Sequence, residues 1–425
     1  MINLKFKIYF LLLISIFNIS NAAQVDYFAG GSVTQYDNIE LEFIPREETA
    51  VSLNTGIKVF EDSANLSSNV RFAFSSIDYL NDVTEDENIG KLFANFVWRV
   101  SPGQFEWHLD EVFTQTVIDV LESDAPSNRQ NINFISTGPD YTIRANARNN
   151  IIFKGRVQKY NFEKDKDNSR ARLDSVWLHK VNSSLSLSVN SNAELARFEN
   201  NDVNTDFTRF DGFLSLDYDR GLNKIELEYG TSHIGKRGED DFDSNRYLVS
   251  IINKRTKTSQ VAFTYISKLS DTGRQAANLG YIENIGDTVL DSVANTVFVD
   301  ETIQMQYLKT YSSGKVTFEL RSRQRDYVIQ DDLDDEAVSA VIKGVEFLHG
   351  ANSVGYGINY TNKIFQDPVL AREDDNFTYS LNYSHYVRRN IRFRIDIRSL
   401  ERESTVSSEA YDDLRITASL VYTSL

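Results

Sequence analysis

Apolar and polar residues alternate one for one along most of the chain. In residues 376–400, apolar side chains occupy every second position, and polar side chains, among them several arginines, lie between them. A period of two places the two sets on opposite faces of a β-strand. The same alternation recurs at residues 51–59, 225–229 and 316–320, whereas helical spacing is scarce. The pattern predicts an all-β protein.

The predicted strands are long. About 20 candidate strands of roughly 10 to 15 residues can be marked, against roughly 5 or 6 residues in ordinary globular sheets and about 9 to 11 for a tilted strand that crosses a bilayer. Short connections are predicted near residues 61–64, 101–103, 148–150, 181–183, 220–223, 255–258, 312–314, 350–352 and 389–390. Long connections fall between them, at about 37–48, 79–88, 117–129, 162–168, 198–206, 236–244, 269–300, 328–335, 365–375 and 403–410.

Regular alternation of short and long connections is typical of an up-and-down membrane barrel with short periplasmic turns and long outer loops. In such a barrel the apolar face contacts lipid and the polar face lines a water-filled lumen, so no hydrophobic core is needed. We therefore predict an all-β fold: a single antiparallel up-and-down transmembrane β-barrel of about 18–20 strands with long acidic outer loops, present as a monomer. The alternatives are a secreted β-sandwich, a propeller and a β-helix, but the chain shows neither blade-length nor short repeats.

The N-terminus has the pattern of a secretory signal peptide. Lys5 and Lys7 precede an apolar run at residues 8–17, and small residues follow at Ser20 and Ala22. A basic start, a short apolar segment and a small-residue cleavage site are the three parts of such a peptide. We predict a signal peptide at residues 1–23, a barrel at 24–425, and location in the outer membrane.

The amino-acid composition excludes several kinds of site and partner. The chain has no cysteine, which excludes disulfides, thiolate metal sites, a cysteine nucleophile and a lipoprotein anchor. Its formal net charge of −16 argues against nucleic acid as a partner. Much of the acid lies in the predicted outer loops, at residues 85–87, 239–243, 331–336 and 373–375.

Three segments resemble a known group of barrels. Residues 36–41 (YDNIEL), 128–131 (NRQN) and 137–141 (TGPDY) are similar to segments of the outer-membrane β-barrel proteins associated with PEP-CTERM systems and exopolysaccharide operons. The similarity covers roughly residues 30–165. It implies a Gram-negative outer-membrane protein encoded with polysaccharide machinery. The partners it implies are outer-membrane lipid and lipopolysaccharide, the barrel-assembly machinery, exopolysaccharide and periplasmic export components.

Basic residues on the predicted lumenal face form the candidate site. Guanidinium and ammonium groups in a water-filled pore attract carboxylated or sulfated sugars and phosphate groups. The alternative is ion pairing with acidic residues predicted on other parts of the wall, such as Asp217 and Glu226. The predicted polyanion track consists of Lys154, Arg156, Arg321, Arg323, Arg325, Arg392, Arg394 and Arg398.

The resulting functional prediction is a porin-like conduit for polysaccharide. The rival hypothesis is a plugged structural or surface-binding barrel that holds polysaccharide or lipopolysaccharide. Residues 269–300 are too apolar for a free loop, and they are predicted either to fold inward as a constriction or to project as an extra outer hairpin.

An enzyme is not predicted, and no catalytic, cofactor or metal site is nominated. The five histidines lack the spacing of known zinc motifs. Ser384 and His385 are adjacent on a predicted strand, so they should face opposite sides and cannot form a dyad. The acidic loop at residues 238–243 lacks the spacing of an EF-hand.

Overall fold

The computed structural model describes residues 23–119, 121–199, 206–236, 241–271, 297–328, 333–348, 350–366 and 371–424. Within these ranges, no helix is long and apolar enough to cross a membrane. The described strands are β1 Gln24–Tyr36, β2 Glu48–Asp62, β3 Leu66–Tyr79, β4 Glu87–Ser101, β5 Phe105–Val117, β6 Arg129–Arg144, β7 Asn149–Phe162, β8 Asn168–Lys180, β9 Leu185–Phe198, β10 Phe207–Arg220, β11 Asn223–Lys236, β12 Phe242–Thr256, β13 Ser259–Asp271, β14 Val297–Tyr311, β15 Gly314–Tyr327, β16 Asp335–Phe347, β17 Asn352–Phe365, β18 Arg372–Arg388, β19 Ile391–Ser404 and β20 Tyr411–Thr423. Short 3₁₀ helices at Pro126–Asn128 and Ser407–Glu409 lie in connections.

The strands close into one antiparallel barrel. Each strand pairs with its neighbours in the chain, and β1 also pairs with β20, from Phe28 opposite Thr423 to Tyr36 opposite Arg415. Closure gives every described strand a paired neighbour on both sides, which is the condition for a sheet to span lipid. The predicted fold is confirmed, and residues 24–36 form the first strand.

The two ends of the barrel differ as predicted. Nine short turns, such as Gly221 and Leu222 between β10 and β11, join strands at one end, which we call the inner end. Gly221 has a φ of +63°, a left-handed conformation that glycine adopts without strain. The longer connections lie at the opposite, outer end.

The two faces of the wall also follow the alternation. Leu53, Leu214 and Leu320 point outward and are 69%, 57% and 60% exposed, as a lipid-facing surface requires. Tyrosine and tryptophan near strand ends are typical of interfacial girdles, which predicts that position for Trp98, Trp107, Tyr160, Tyr229 and Tyr386. Trp98, Trp107 and Tyr229 are exposed on the outward face, whereas Tyr386 lies opposite the lumenal Arg392.

Tyr160 was predicted to lie in the same girdle, and this is wrong. It lies three positions from the outward-facing Val157, hence on the lumenal face, and is only 1% exposed. The Arg170 guanidinium lies 4.6 Å from the centre of its ring. A tyrosine ring suits both an interfacial girdle and a cation–π contact with an arginine. The residue type alone therefore does not show which face of the wall Tyr160 occupies.

Glu111 is an acidic residue on the lipid face. It is opposite Ala94 on β4 and Ile135 on β6, and it shares its face with the exposed Trp107 and Leu109. Because acidic groups are costly when they face lipid, Glu111→Leu should raise the free energy of unfolding in lipid vesicles by about 1 kcal/mol. The same change at the lumenal Asp217 is the control and should not stabilise the barrel. An unchanged or lowered stability of Glu111→Leu would indicate that the hydrogen bond of its carboxylate with Asn133 outweighs the cost of facing lipid.

Candidate functional site

Ion pairs with at least one buried partner line the lumen at the outer end of the barrel, on the side from β8 to β20. They lie within a few residues of the outer strand ends, and we call them the charged belt. It contains the pairs Arg170–Glu194, Arg170–Asp271, Arg209–Asp211, Arg325–Asp335, Arg372–Asp374, Arg372–Glu409 and Arg415–Asp413. Buried charges persist only when they are paired in this way.

Arg325 is the most deeply buried member. Its side chain and that of Asp335 are both 0% exposed, and its Nε donates to Asp335 Oδ2 at 3.1 Å. Lys363 Nζ lies 3.8 Å from the same oxygen. The guanidinium also lies 5.9 Å from the ring centre of Phe298. The group joins β15, β16 and β17 through one carboxylate.

The outer ends of β13 and β14, residues 268–271 and 297–299, extend into the lumen, and we call them the β13–β14 tip. Asp271 on β13 accepts from Arg170 on β8 at 2.8 Å, and the Leu269 carbonyl accepts from Arg209 on β10 at 3.0 Å. Five strand positions separate β8 from β13, or roughly 24 Å along the wall at about 4.8 Å per strand. These contacts are therefore made across the interior. Pairing of β12 with β13 stops at Tyr247 opposite Ser267, so the tip is free to bend inward.

The tip also packs against an apolar cluster. Leu269 and Val297 contact residues of β9, β10 and β11, and Leu269 is 1% exposed. Residues 269–300 were predicted to fold inward or to project outward. The described ends of the segment fold inward, while residues 272–296 lie outside the described part of the chain.

The loop at residues 118–128, apart from residue 120 outside the described chain, enters the mouth from the other side. Val117 and Leu121 pack in one cluster with Phe298 and Leu333, which belong to the β13–β16 side of the barrel. Asn128 is buried and donates to the carbonyls of Asp119 and Ser123, at 2.7 and 3.0 Å, which fixes the shape of the loop.

The loop at residues 37–47 is the third segment in the mouth. Ile39 is 2% exposed and packs on the lumenal side chains of Ala50 and Tyr79. Ser127 of the loop described above donates to Glu40 at 2.7 Å. Asn38, which is 1% exposed, donates its backbone N–H to Asp413 of the charged belt at 2.9 Å. Two of the three sequence segments that carry the family resemblance thus lie in the outer mouth.

We call these three segments the lid: the β13–β14 tip, residues 37–47 and residues 118–128. Each is tied to the wall or to another segment by a buried polar contact. The outer mouth is therefore obstructed by ordered chain. Below the lid, lumenal side chains such as Lys315, Lys343 and Arg398 are exposed to solvent, which shows that the inner part of the lumen is open.

The residues of the predicted polyanion track all face the lumen, but they lie in three groups. Lys154 and Arg156 are on β7, the arginines at 321, 323 and 325 on β15, and those at 392, 394 and 398 on β19. Because β7 lies eight strands from β15, the three groups do not form one continuous row.

Ion pairing occupies several of these cations. Arg156 contacts Asp140 at 2.6 Å, Arg394 pairs with Asp396, and Arg325 belongs to the charged belt. In the described part of the chain, Lys154, Arg392 and Arg398 form no ion pair or side-chain hydrogen bond. These three are the cations that a ligand can engage.

Most of the carboxylates that pair with the lumenal arginines were not predicted from the sequence. Several arginines pair with an aspartate two positions away on the same strand, a spacing that puts both side chains on one face. The pattern is visible in the sequence as Arg-x-Asp or Asp-x-Arg, at 172/174, 209/211, 372/374, 394/396 and 413/415.

Candidate catalytic groups are separated, as expected. Ser384 is buried on the lumenal face, while His385 faces outward and bonds Asn352 Oδ1 at 2.8 Å. Among the described residues, no group of three or more histidine or acidic side chains is arranged to hold a metal ion.

Comparison with known proteins relates the chain to large outer-membrane barrels. No protein-family model and no curated protein matches it. A mutant of the ferric enterobactin receptor PfeA from Pseudomonas aeruginosa aligns with a TM-score of 0.50 at 7% identity, over 93% of this chain and 80% of that chain. The FrpB iron transporter from Neisseria meningitidis aligns at 0.47 and 6% identity, over 94% and 82%. A loop-deletion mutant of OmpT, an outer-membrane protein of Vibrio cholerae, aligns at 0.38 and 9% identity, over 95% and 100%. At such low identity the similarity to PfeA shows the fold alone: the protein has the fold of a large outer-membrane β-barrel.

Proposed function

We propose that this protein is an outer-membrane conduit for an anionic polysaccharide and that the lid gates its outer mouth. The proposal rests on one observation, the difference between the inner lumen and the outer mouth of the barrel. The inner lumen is solvent-exposed and lined by charged side chains, whereas the mouth is obstructed by segments tied to the wall by individual ion pairs and hydrogen bonds. Barrels of about 16–18 strands already enclose an aqueous channel, so twenty strands leave ample room.

Polysaccharide as the cargo is supported by the resemblance and by the lumen. The resemblance implies an operon for extracellular polysaccharide. The unpaired lumenal cations Lys154, Arg392 and Arg398 provide attraction for carboxylate or sulfate groups. The exposed position of Arg398 suits weak, repeated contacts with a passing chain rather than one tight site.

The lid also supports a second function. If the mouth never opens, the protein is a plugged scaffold, and the outer surface of the lid becomes the place where polysaccharide or lipopolysaccharide is held. The buried contacts of Ile39 and Leu269 favour this alternative, because they stabilise the obstructed state.

Single-channel recording in planar bilayers tests the conduit. The wild-type protein should show long closed periods with discrete openings, and an oligouronate should block the open current. Arg392→Ser with Arg398→Ser should weaken the block, because both cations are unpaired. Arg394→Ser is the matched control and should change the block less, because Arg394 is neutralised by Asp396. A pore that is silent in the wild type and in variants with a released lid would contradict the conduit and favour the scaffold.

A further inference from the structure

A recess of about 210 Å³ lies in the lumenal wall between β7 and β12. Most of the side chains that line the recess lie in two rows across the strands. The strand register gives the height of each row along the barrel axis. One row contains Lys154, Asp174, Asn192 and Asp211, whose carboxylate is paired with Arg209; the other, next to it toward the inner end, contains Val176, Asn190, Phe213 and Arg246. Arg172 also lines the recess, one position further toward the outer end. The recess is smaller than the roughly 300–1,000 Å³ clefts that hold drug-sized ligands, so it suits one small unit.

Lys154 supplies the recess with an unneutralised cation. Its register neighbours are Asp140 on β6 and Asp174 on β8, but both carboxylates are engaged by other groups. Asp140 pairs with Arg156 at 2.6 Å and Asp174 with Arg172 at 2.8 Å. The ammonium group is therefore available to a carboxylate from outside the chain.

Two asparagines supply hydrogen-bond acceptors. Asn192 is 4% exposed, its Nδ2 donates to Asp174, and its Oδ1 has no partner in the described structure. Because a carboxylate can only accept hydrogen bonds, the Asn192 amide must point its Nδ2 toward Asp174 and its Oδ1 away from it. Asn190 Nδ2 lies 2.9 Å from the hydroxyl oxygens of Ser188 and Ser215, so its carbonyl oxygen is also left to accept. A buried acceptor without a donor is costly, and a ligand hydroxyl would satisfy it.

The other row provides an apolar surface beside these polar groups. Val176 and the Phe213 ring line the recess, and Gly230 allows the ring to lie close to β11. Arg246 lies 4.1 Å from the ring centre and is held by Glu228 at 3.0 Å. The C–H face of a sugar ring suits such a surface, whereas an inorganic anion gains nothing from it.

We infer that the recess binds a single uronic acid unit of the transported chain. The carboxylate pairs with Lys154, the hydroxyls donate to Asn190 and Asn192, and the ring packs on Val176 and Phe213. Inorganic sulfate offers the charge but neither the hydroxyl donors nor the apolar ring, which separates a uronate from a simple anion. This inference rests on the proposed function, since it names the sugar class that the lumen recognises.

Calorimetric titration of the full-length protein in detergent with an oligouronate of about four units tests the inference. Lys154→Gln should weaken binding about tenfold, as expected for one charge-assisted hydrogen bond. Asn192→Asp should weaken it at least as much, because it sets a second carboxylate beside Asp174. Lys343→Gln removes another lumenal lysine, on β16, and should leave the affinity unchanged. A neutral oligosaccharide of equal length and sodium sulfate should both bind at least tenfold more weakly than the oligouronate.

Three results would overturn the site: no binding by the wild type, equal effects of Lys154→Gln and Lys343→Gln, or equal binding of sulfate and oligouronate. Retained β-structure and gel mobility of each variant would show that the barrel is intact. Failure of the site is distinguishable from failure of the conduit. A conducting pore without uronate binding overturns only the recess, whereas uronate binding by a permanently silent pore overturns only the conduit.

Discussion

Leucine in place of Arg325 is expected to lower the free energy of unfolding by about 3–5 kcal/mol, because the change leaves a fully buried carboxylate without its main partner. Asp335 is 0% exposed at its side chain, and the nearest other cation, Lys363, lies 3.8 Å away, too far for a direct hydrogen bond. Denaturant titration of the protein refolded in lipid vesicles, followed by tryptophan fluorescence, measures the change.

Two further variants test whether the loss of stability in Arg325→Leu comes from the burial of its ion pair. Arg325→Leu with Asp335→Leu should recover most of the loss, since a buried ion pair replaced by apolar residues is often neutral in stability. Arg394→Leu removes an arginine from a pair whose side chains are 38% and 31% exposed, and it should cost about 1 kcal/mol or less. Equal effects of Arg325→Leu and Arg394→Leu would contradict the view that burial determines the contribution of each pair.

The barrel could be predicted from the sequence because its determinants are local. Alternation along a strand is set by the geometry of the backbone, so Phe393 and Arg394 must face opposite sides wherever the strand lies. Short turns and long loops are read from spacing in the same way. The short turns set the register between neighbouring strands. An even number of strands makes β1 antiparallel to β20, so these two strands can pair and close the barrel.

The lid could not be predicted in this way, because its contacts are not local. Nothing near Arg170 in the sequence indicates Asp271, which reaches it only across the lumen. The apolar character of residues 269–300 indicated that the segment is not a free loop, but an inward fold and an outer hairpin have the same composition. The recess was missed for a related reason: Lys154 was identified, whereas Asn190 and Asn192 are ordinary strand residues until the register places them beside it.

Asparagine in place of Asp271 is expected to raise the open probability of the pore by about tenfold or more, which corresponds to a loss of about 1.4 kcal/mol or more from the closed state. Asp271 is the carboxylate through which the β13–β14 tip forms an ion pair with Arg170, in addition to the Leu269 carbonyl that accepts from Arg209. The wall itself keeps the Arg170–Glu194 contact at 3.0 Å. The substitution therefore loosens the lid without opening the barrel wall. Single-channel recording at low voltage, in the same lipid as the wild type, measures the open probability.

The matched control for Asp271→Asn is Glu194→Gln. It removes a carboxylate from the same arginine, and both carboxyl side chains are nearly fully buried, at 1% and 3% exposure. Glu194, however, pairs β9 with the neighbouring β8, so its loss should lower stability and leave the lid in place. If both variants open the pore equally, the effect reflects general loosening of the outer end. If neither opens it, the tip is held by its apolar contacts around Leu269, and the plugged scaffold becomes the better account of the closed mouth.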